Sequence, residues 1–267
     1  MGGCRRRGGV GGPCGGSSEL DAAPFAGGNR ETDRGPYFQV AVEHGAQKKG
    51  GFRWRRPRHS LKGRQDAEAV EWSGLRLQLL KQQAAAGDVI LLFQDESEAL
   101  THPYLAHAWA KRGADLRVEA PGQARKMAML GIQDAITRQL IVETSATKRR
   151  TDFIALLERI DREFGPKPGR TTKPVTLVID NGPIHTSKAS RKAMAARAAW
   201  LTPEWLPKYA PELNDIEHAW RDLKRHFLAH QTFVSVGHLD KAIHDAVNAM
   251  NQERSDAHLW QNHRIAA

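Results

Sequence analysis

Two short segments do most to limit how this chain folds: VILLFQDE at 89–96 and PVTLVIDN at 174–181. In each, a continuous apolar run is stopped by an acid. A run that short, with no polar alternation, reads as a strand buried on both faces. Such strands need helices above and below them, which points to an α/β architecture. Each run delivers an aspartate, Asp95 or Asp180, at its carboxyl end, and ligands of open α/β sheets sit outside those ends. Taken singly, each aspartate has an ordinary explanation as a turn residue that ends a strand. If the two strands are parallel neighbours, ~4.8 Å apart, the two carboxylates repel across one space. A divalent cation such as Mg²⁺, a hard ion suited to carboxylates, holds both ionised.

The rest of the chain supplies the layers. A helix is predicted from Asp66 to about Ala86, with Val70, Leu75, Leu77, Leu79 and Leu80 as its apolar face and Gly87 as its stop. DLRVEA, KMAMLGIQD and QLIVET, within 109–144, read as an antiparallel meander. A helix follows from Thr151, the candidate N-cap, to Phe164, carrying Phe153, Ile154, Leu157 and Ile160. After the second buried strand come a helix over 187–199, a short strand over 200–206, a helix from near Asn214, and a last one over 238–250. Helix-connected strands late in the chain favour parallel pairing by right-handed crossovers, giving a mixed sheet flanked by helices.

Ahead of this, residues 1–50 are Gly-rich without an apolar period and read as a disordered basic tail. Cys4 and Cys14 lie there and form no zinc-ligand or disulfide framework. Residues 48–64 carry eight Lys or Arg and no acid, with Phe52 and Trp54 between them. That stretch and the formal charge of +10 suit a polyanionic partner, nucleic acid first, although either also fits a solvated surface. No apolar run approaches the ~20 residues of a membrane span and no secretory signal is visible, so the expectation is a cytoplasmic, nucleoid-associated protein.

A third group of acids stands in KYAPELNDIEHAW at 208–220. Glu212 reads as loop surface. Asn214 suits an N-cap, Asp215 the helix dipole, and Glu217 the capping-box position three residues on. Ile216, Trp220, Leu223 and Phe227 form the buried stripe, so Glu217 borders the core. Spacing alone leaves its role open. Glu96 and Glu98 read as solvated or supporting residues, and His102, His107 and His185 as ordinary polar residues.

LLFQDES (91–97), HPYLAHAWAKRG (102–113), LVIDNGPIHTS (177–187) and WLPKYAPELNDIEHAWRDLKRH (205–226) resemble, in order, motifs of the DDE-superfamily transposases, closest to the bacterial insertion-sequence branch related to mariner elements. The resemblance implies a ribonuclease H-like fold over 88–235, after a basic linker and helix at 51–87 and before a C-terminal helical extension at 236–267. It implies that Asp95, Asp180 and Glu217 are catalytic and hold two Mg²⁺ ions, with Mn²⁺ as an expected substitute. The implied partner is double-stranded DNA, at element ends and target, with a homodimer assembled on it. The implied chemistry is hydrolysis of a phosphodiester at the element's ends, then attack of the freed 3′-hydroxyl on target DNA. Asp215 stands where the family has Pro. No upstream helix-turn-helix pattern is present, so the expectation is a chain lacking that module. Two other readings stay open: an inactive DNA-binding remnant of a transposase, and a ribonuclease H-like nuclease outside transposition.

Overall fold

The computed structural model describes residues 62–120, 122–169 and 171–265. The tail expected over 1–50 and all but the end of the basic stretch at 48–64 lie outside the described residues. Five strands, β1 (Ile90–Leu100), β2 (Lys126–Asp134), β3 (Leu140–Ser145), β4 (Val175–Ile179) and β5 (Leu201–Trp205), form one sheet in the order β3-β2-β1-β4-β5. β1, β2 and β3 pair antiparallel, whereas β4 lies parallel to both β1 and β5. Each parallel step carries helices in its connection: α2 (Arg150–Phe164) before β4, then α3 (Pro183–Thr186) and α4 (Lys188–Ala195) before β5. Parallel neighbours need such crossovers, because a tight turn reverses the chain. The mixed sheet flanked by helices is the one expected.

Side chains of successive strand residues point to opposite faces, and the sheet has a core on each. One face gathers Leu91, Phe93, Met129 and Val178 under α1 (Ala67–Ala86), α5 (Ile216–Asp222) and α6 (Val236–Ile265). The other gathers Leu92, Leu130, Leu177 and Ile179 under α2 and α4. The α6 residues Leu239, Ile243, Val247 and Met250 are all buried, as their spacing predicted. Asn251 closes the margin of the sheet: its side chain accepts from Leu140 N at 2.8 Å and donates to Leu140 O at 2.7 Å. Among the described residues no helix is long and apolar enough to cross a membrane.

Four expectations are corrected. β1 does not stop at its first acid. Its parallel pairing ends at Phe93↔Val178, but β2 carries it on to Leu100↔Lys126, so Asp95 is a mid-strand residue. DLRVEA is not a strand: β2 has β1 on one edge and β3 on the other, and Asp115 pairs instead with Arg117 at 2.6 Å in solvent. On α1, Leu77, Leu80 and Ala84 are buried while Leu75 and Leu79 are exposed. The cap of α2 is Arg149, not Thr151, because the N3 residue Asp152 accepts from Arg149 N at 2.8 Å.

Candidate catalytic site

Asp95 and Asp180 stand at matching depth. The last parallel pair is Phe93↔Val178, and each aspartate lies two residues beyond it. Asp95 shares its sheet face with Phe93, the face that α5 covers. Glu96, one residue on, points to the opposite face. Asp180 follows the end of β4, and its Oδ1 accepts from Gly182 N at 2.7 Å and from His185 Nδ1 at 2.7 Å.

His185 is buried and ties the two faces together. Its Nε2 lies 2.9 Å from Glu96 Oε1, which also accepts from Gln94 Nε2 at 2.8 Å, and Phe153 packs edge-on against the ring. Burial opposes the imidazolium, yet the hydrogen bonds to Asp180 and Glu96 outweigh it and lift His185 to about 9. Both ring nitrogens therefore donate. The His185 hydrogen bond, with help from Gly182 N–H, holds Asp180 below the usual carboxylate range. His185, read as an ordinary polar residue, is corrected to an inner support of Asp180, and Glu96, behind it, takes the supporting one of its two readings. A single histidine carries no spacing signal that could have said so.

The third acid arrives on α5. The capping box that the spacing allowed there is absent. Asp215, not Asn214, is the N-cap; it makes no side-chain cap bond and pairs with Lys81 at 2.7 Å. Asn214 turns inward and donates Nδ2 to Gln94 O at 2.9 Å, just past the last parallel pair. Glu217 N–H donates to Asn214 O at 3.1 Å, and the Glu217 residue is exposed. Glu212 is also exposed and accepts from Gln65 Nε2 at 2.8 Å.

The carboxylates feel one another. Burial first, then Glu217, Glu96 and Asp180, push the Asp95 carboxyl up to about 7. Counter-charge comes from Lys224, whose Nζ donates to Ser97 Oγ at 2.7 Å, two residues beyond Asp95. Burial holds this ammonium below its ordinary value although Glu217 and Asp95 favour its charge. Among the described residues no three His, Cys, Asp or Glu side chains stand in ready metal-ligand geometry. Carboxylates without a cation between them repel, and Asp180 is turned toward His185. The donor set nonetheless fits a hard divalent ion: oxygen ligands, clustered negative charge and no thiolate. His102 and His107 make no hydrogen bond to these acids among the described residues.

The family described as DDE superfamily endonuclease matches residues 90–240, more than half of the chain. The chain belongs to the DDE superfamily of endonucleases. Asp95, Asp180 and Glu217 all fall within the DDE endonuclease span. The insertion element IS630 uncharacterized 39 kDa protein of Shigella sonnei is 25% identical over 173 residues, 65% of this chain and 48% of its own length. This DDE endonuclease chain thus spans about half the length of that curated relative. Among solved structures, the Mos1 transposase paired-end complex with left transposon end has a TM-score of 0.51 at 18% identity, covering 81% of this chain and 68% of that one. The mariner Mos1 paired-end complex with Mg has a TM-score of 0.53 at 18% identity, covering 81% and 64%. These structural likenesses bear out the expected ribonuclease H-like fold.

Proposed function

We propose that this chain is the catalytic part of an insertion-sequence transposase. It cleaves DNA phosphodiesters at the element's ends and transfers the 3′-hydroxyl end to target DNA. The observation that carries the reading is Asp95 within β1 and Asp180 just past the end of its parallel neighbour β4, with the Glu217 helix over the same face. The crowding of these acids raises Asp95 to about 7. The similarity to an insertion-element protein and to transposase complexes on transposon ends supports it.

On this reading Asp95, Asp180 and Glu217 hold two Mg²⁺ ions, which Mn²⁺ can replace. Ions held there would supply activation of an attacking oxygen and charge stabilisation of a leaving one. The protein's own share is positional. His185 and Gly182 N–H fix Asp180 through Oδ1, and Lys224 moderates the negative charge that an incoming phosphate meets. The basic stretch at 48–64 adds affinity for the DNA backbone. The protein works as a homodimer on paired ends, at the nucleoid.

The test uses DNA carrying the element's own ends with Mg²⁺ or Mn²⁺. Wild type nicks it, while Asp180→Ala and Glu217→Gln lose roughly 10²–10³-fold or more in rate, as expected when a preorganised electrostatic group is removed. Equal cleavage by wild type and Asp180→Ala would remove the proposal. Salt-sensitive DNA binding by wild type without any metal-dependent product would indicate the inactive remnant.

A further inference from the structure

Resting on that reading, the structure assigns a positioning role to a pair of residues far apart in sequence, Gly131 and Trp220. Gly131 on β2 is the residue paired directly with Asp95 on β1. A Cβ there would meet Trp220 Cη2 at 2.5 Å and Cζ2 at 2.6 Å, closer than side chains tolerate. The missing side chain is therefore a notch, and the indole of α5 fills it. Trp220 is almost wholly buried, and its Nε1 has no hydrogen-bond partner. A buried donor without an acceptor is unfavourable, so shape and not polarity holds the ring in place.

Glu217 lies one turn before Trp220 on the same flank of the helix. Asn214, three residues before Glu217, is the other anchor, through its bond to Gln94 O beside Asp95. Asn214, just outside the helix, and Trp220, within it, thus seat both ends of the segment that carries Glu217 around Asp95. Glu217 needs no contact of its own to be brought there. Gly131 and Trp220 set where Glu217 stands relative to Asp95, and so the spacing of two carboxylates that would share a metal. A glycine inside an apolar strand often marks such a close approach.

The experiment uses the full chain, titrated with Mn²⁺ by electron paramagnetic resonance and followed by hydrogen exchange at Ile216–Asp222. G131A is expected to weaken Mn²⁺ binding about 10- to 100-fold, the range for residues that orient metal ligands, and to speed exchange in α5. In G131A/W220F the shorter ring lacks the atoms that the new methyl meets, so most of the loss is recovered. Wild-type binding by G131A, or a double variant no better than G131A, overturns the assignment. Recovery of melting temperature without recovery of Mn²⁺ affinity also overturns it, because the pair would then serve folding alone. If G131A does not fold, W220F carries the test: a part-filled notch weakens Mn²⁺ binding, and unchanged binding overturns the role. Asp95→Asn separates the two ideas. If it leaves wild-type Mn²⁺ binding intact, the metal reading fails, and the exchange data then judge the pair: faster exchange in G131A, reversed in the double variant, supports it, and unchanged exchange overturns it.

Discussion

Asp95 is the residue on which the site's energetics concentrate. It sits half-buried in the middle of a strand, with Glu217, Glu96 and Asp180 all raising the cost of its charge. Without a cation, that arrangement opposes folding, since a buried charge lacking a close partner is unfavourable. Asp95→Asn should therefore raise the melting temperature in EDTA, at about 2–4 °C per kcal/mol recovered in a domain of this size. Added Mg²⁺ should stabilise wild type and leave Asp95→Asn unmoved. A lower melting temperature for Asp95→Asn in EDTA would show that the carboxylates are not in conflict. Asp180 escapes the conflict because His185 supplies a buried positive charge at 2.7 Å. The same ring reaches Glu96, so one histidine steadies acids on two faces of the sheet.

Among the elements, α1 shows how local chemistry and packing divide the work. Asp66 caps its start by accepting from Ala69 N at 3.1 Å. Gly87 ends it at φ 82°, with Gly87 N–H to Ala84 O and Asp88 N–H to Gln83 O, both at 3.0 Å. Only glycine takes that conformation freely, so Gly87→Ala should cost about 1–2 kcal/mol, read as a drop in denaturation midpoint. An unchanged midpoint would mean that the helix end relaxes without penalty. Both ends were legible in the sequence because caps are written in neighbouring residues. The buried face was not, since leucines at 75, 77, 79 and 80 ring the helix and only the sheet beneath selects Leu77 and Leu80. The start of α5 went further astray: Asn214 and Glu217 have capping-box spacing, but the free carbonyl of Gln94 claims the Asn214 side chain.

For the whole molecule, charge is the property that reaches furthest. Residues 1–61 carry 11 of the 40 Lys and Arg against 5 of the 30 Asp and Glu. Affinity for double-stranded DNA should fall steeply with salt. Replacing Arg53, Arg55, Arg56 and Arg58 by Ala should flatten the log–log slope by up to about 0.9 for each phosphate no longer neutralised. A slope equal to wild type would place the DNA-binding cations elsewhere on the chain. What the sequence determined by itself is whatever is encoded locally: two apolar runs that must be buried strands, acids that follow them, helix periods, caps and net charge. That was enough for the α/β class and for Asp95 and Asp180 as acids that follow buried runs, whereas the parallel pairing that makes them neighbours is seen only in the sheet. Only the tertiary structure decided the rest, because each remaining feature depends on a partner remote in sequence. β1 runs past Asp95 because β2 pairs with it. His185 matters because Glu96 lies across the strand end from it, and α5 comes to rest over Asp95 because Gly131 leaves room for Trp220.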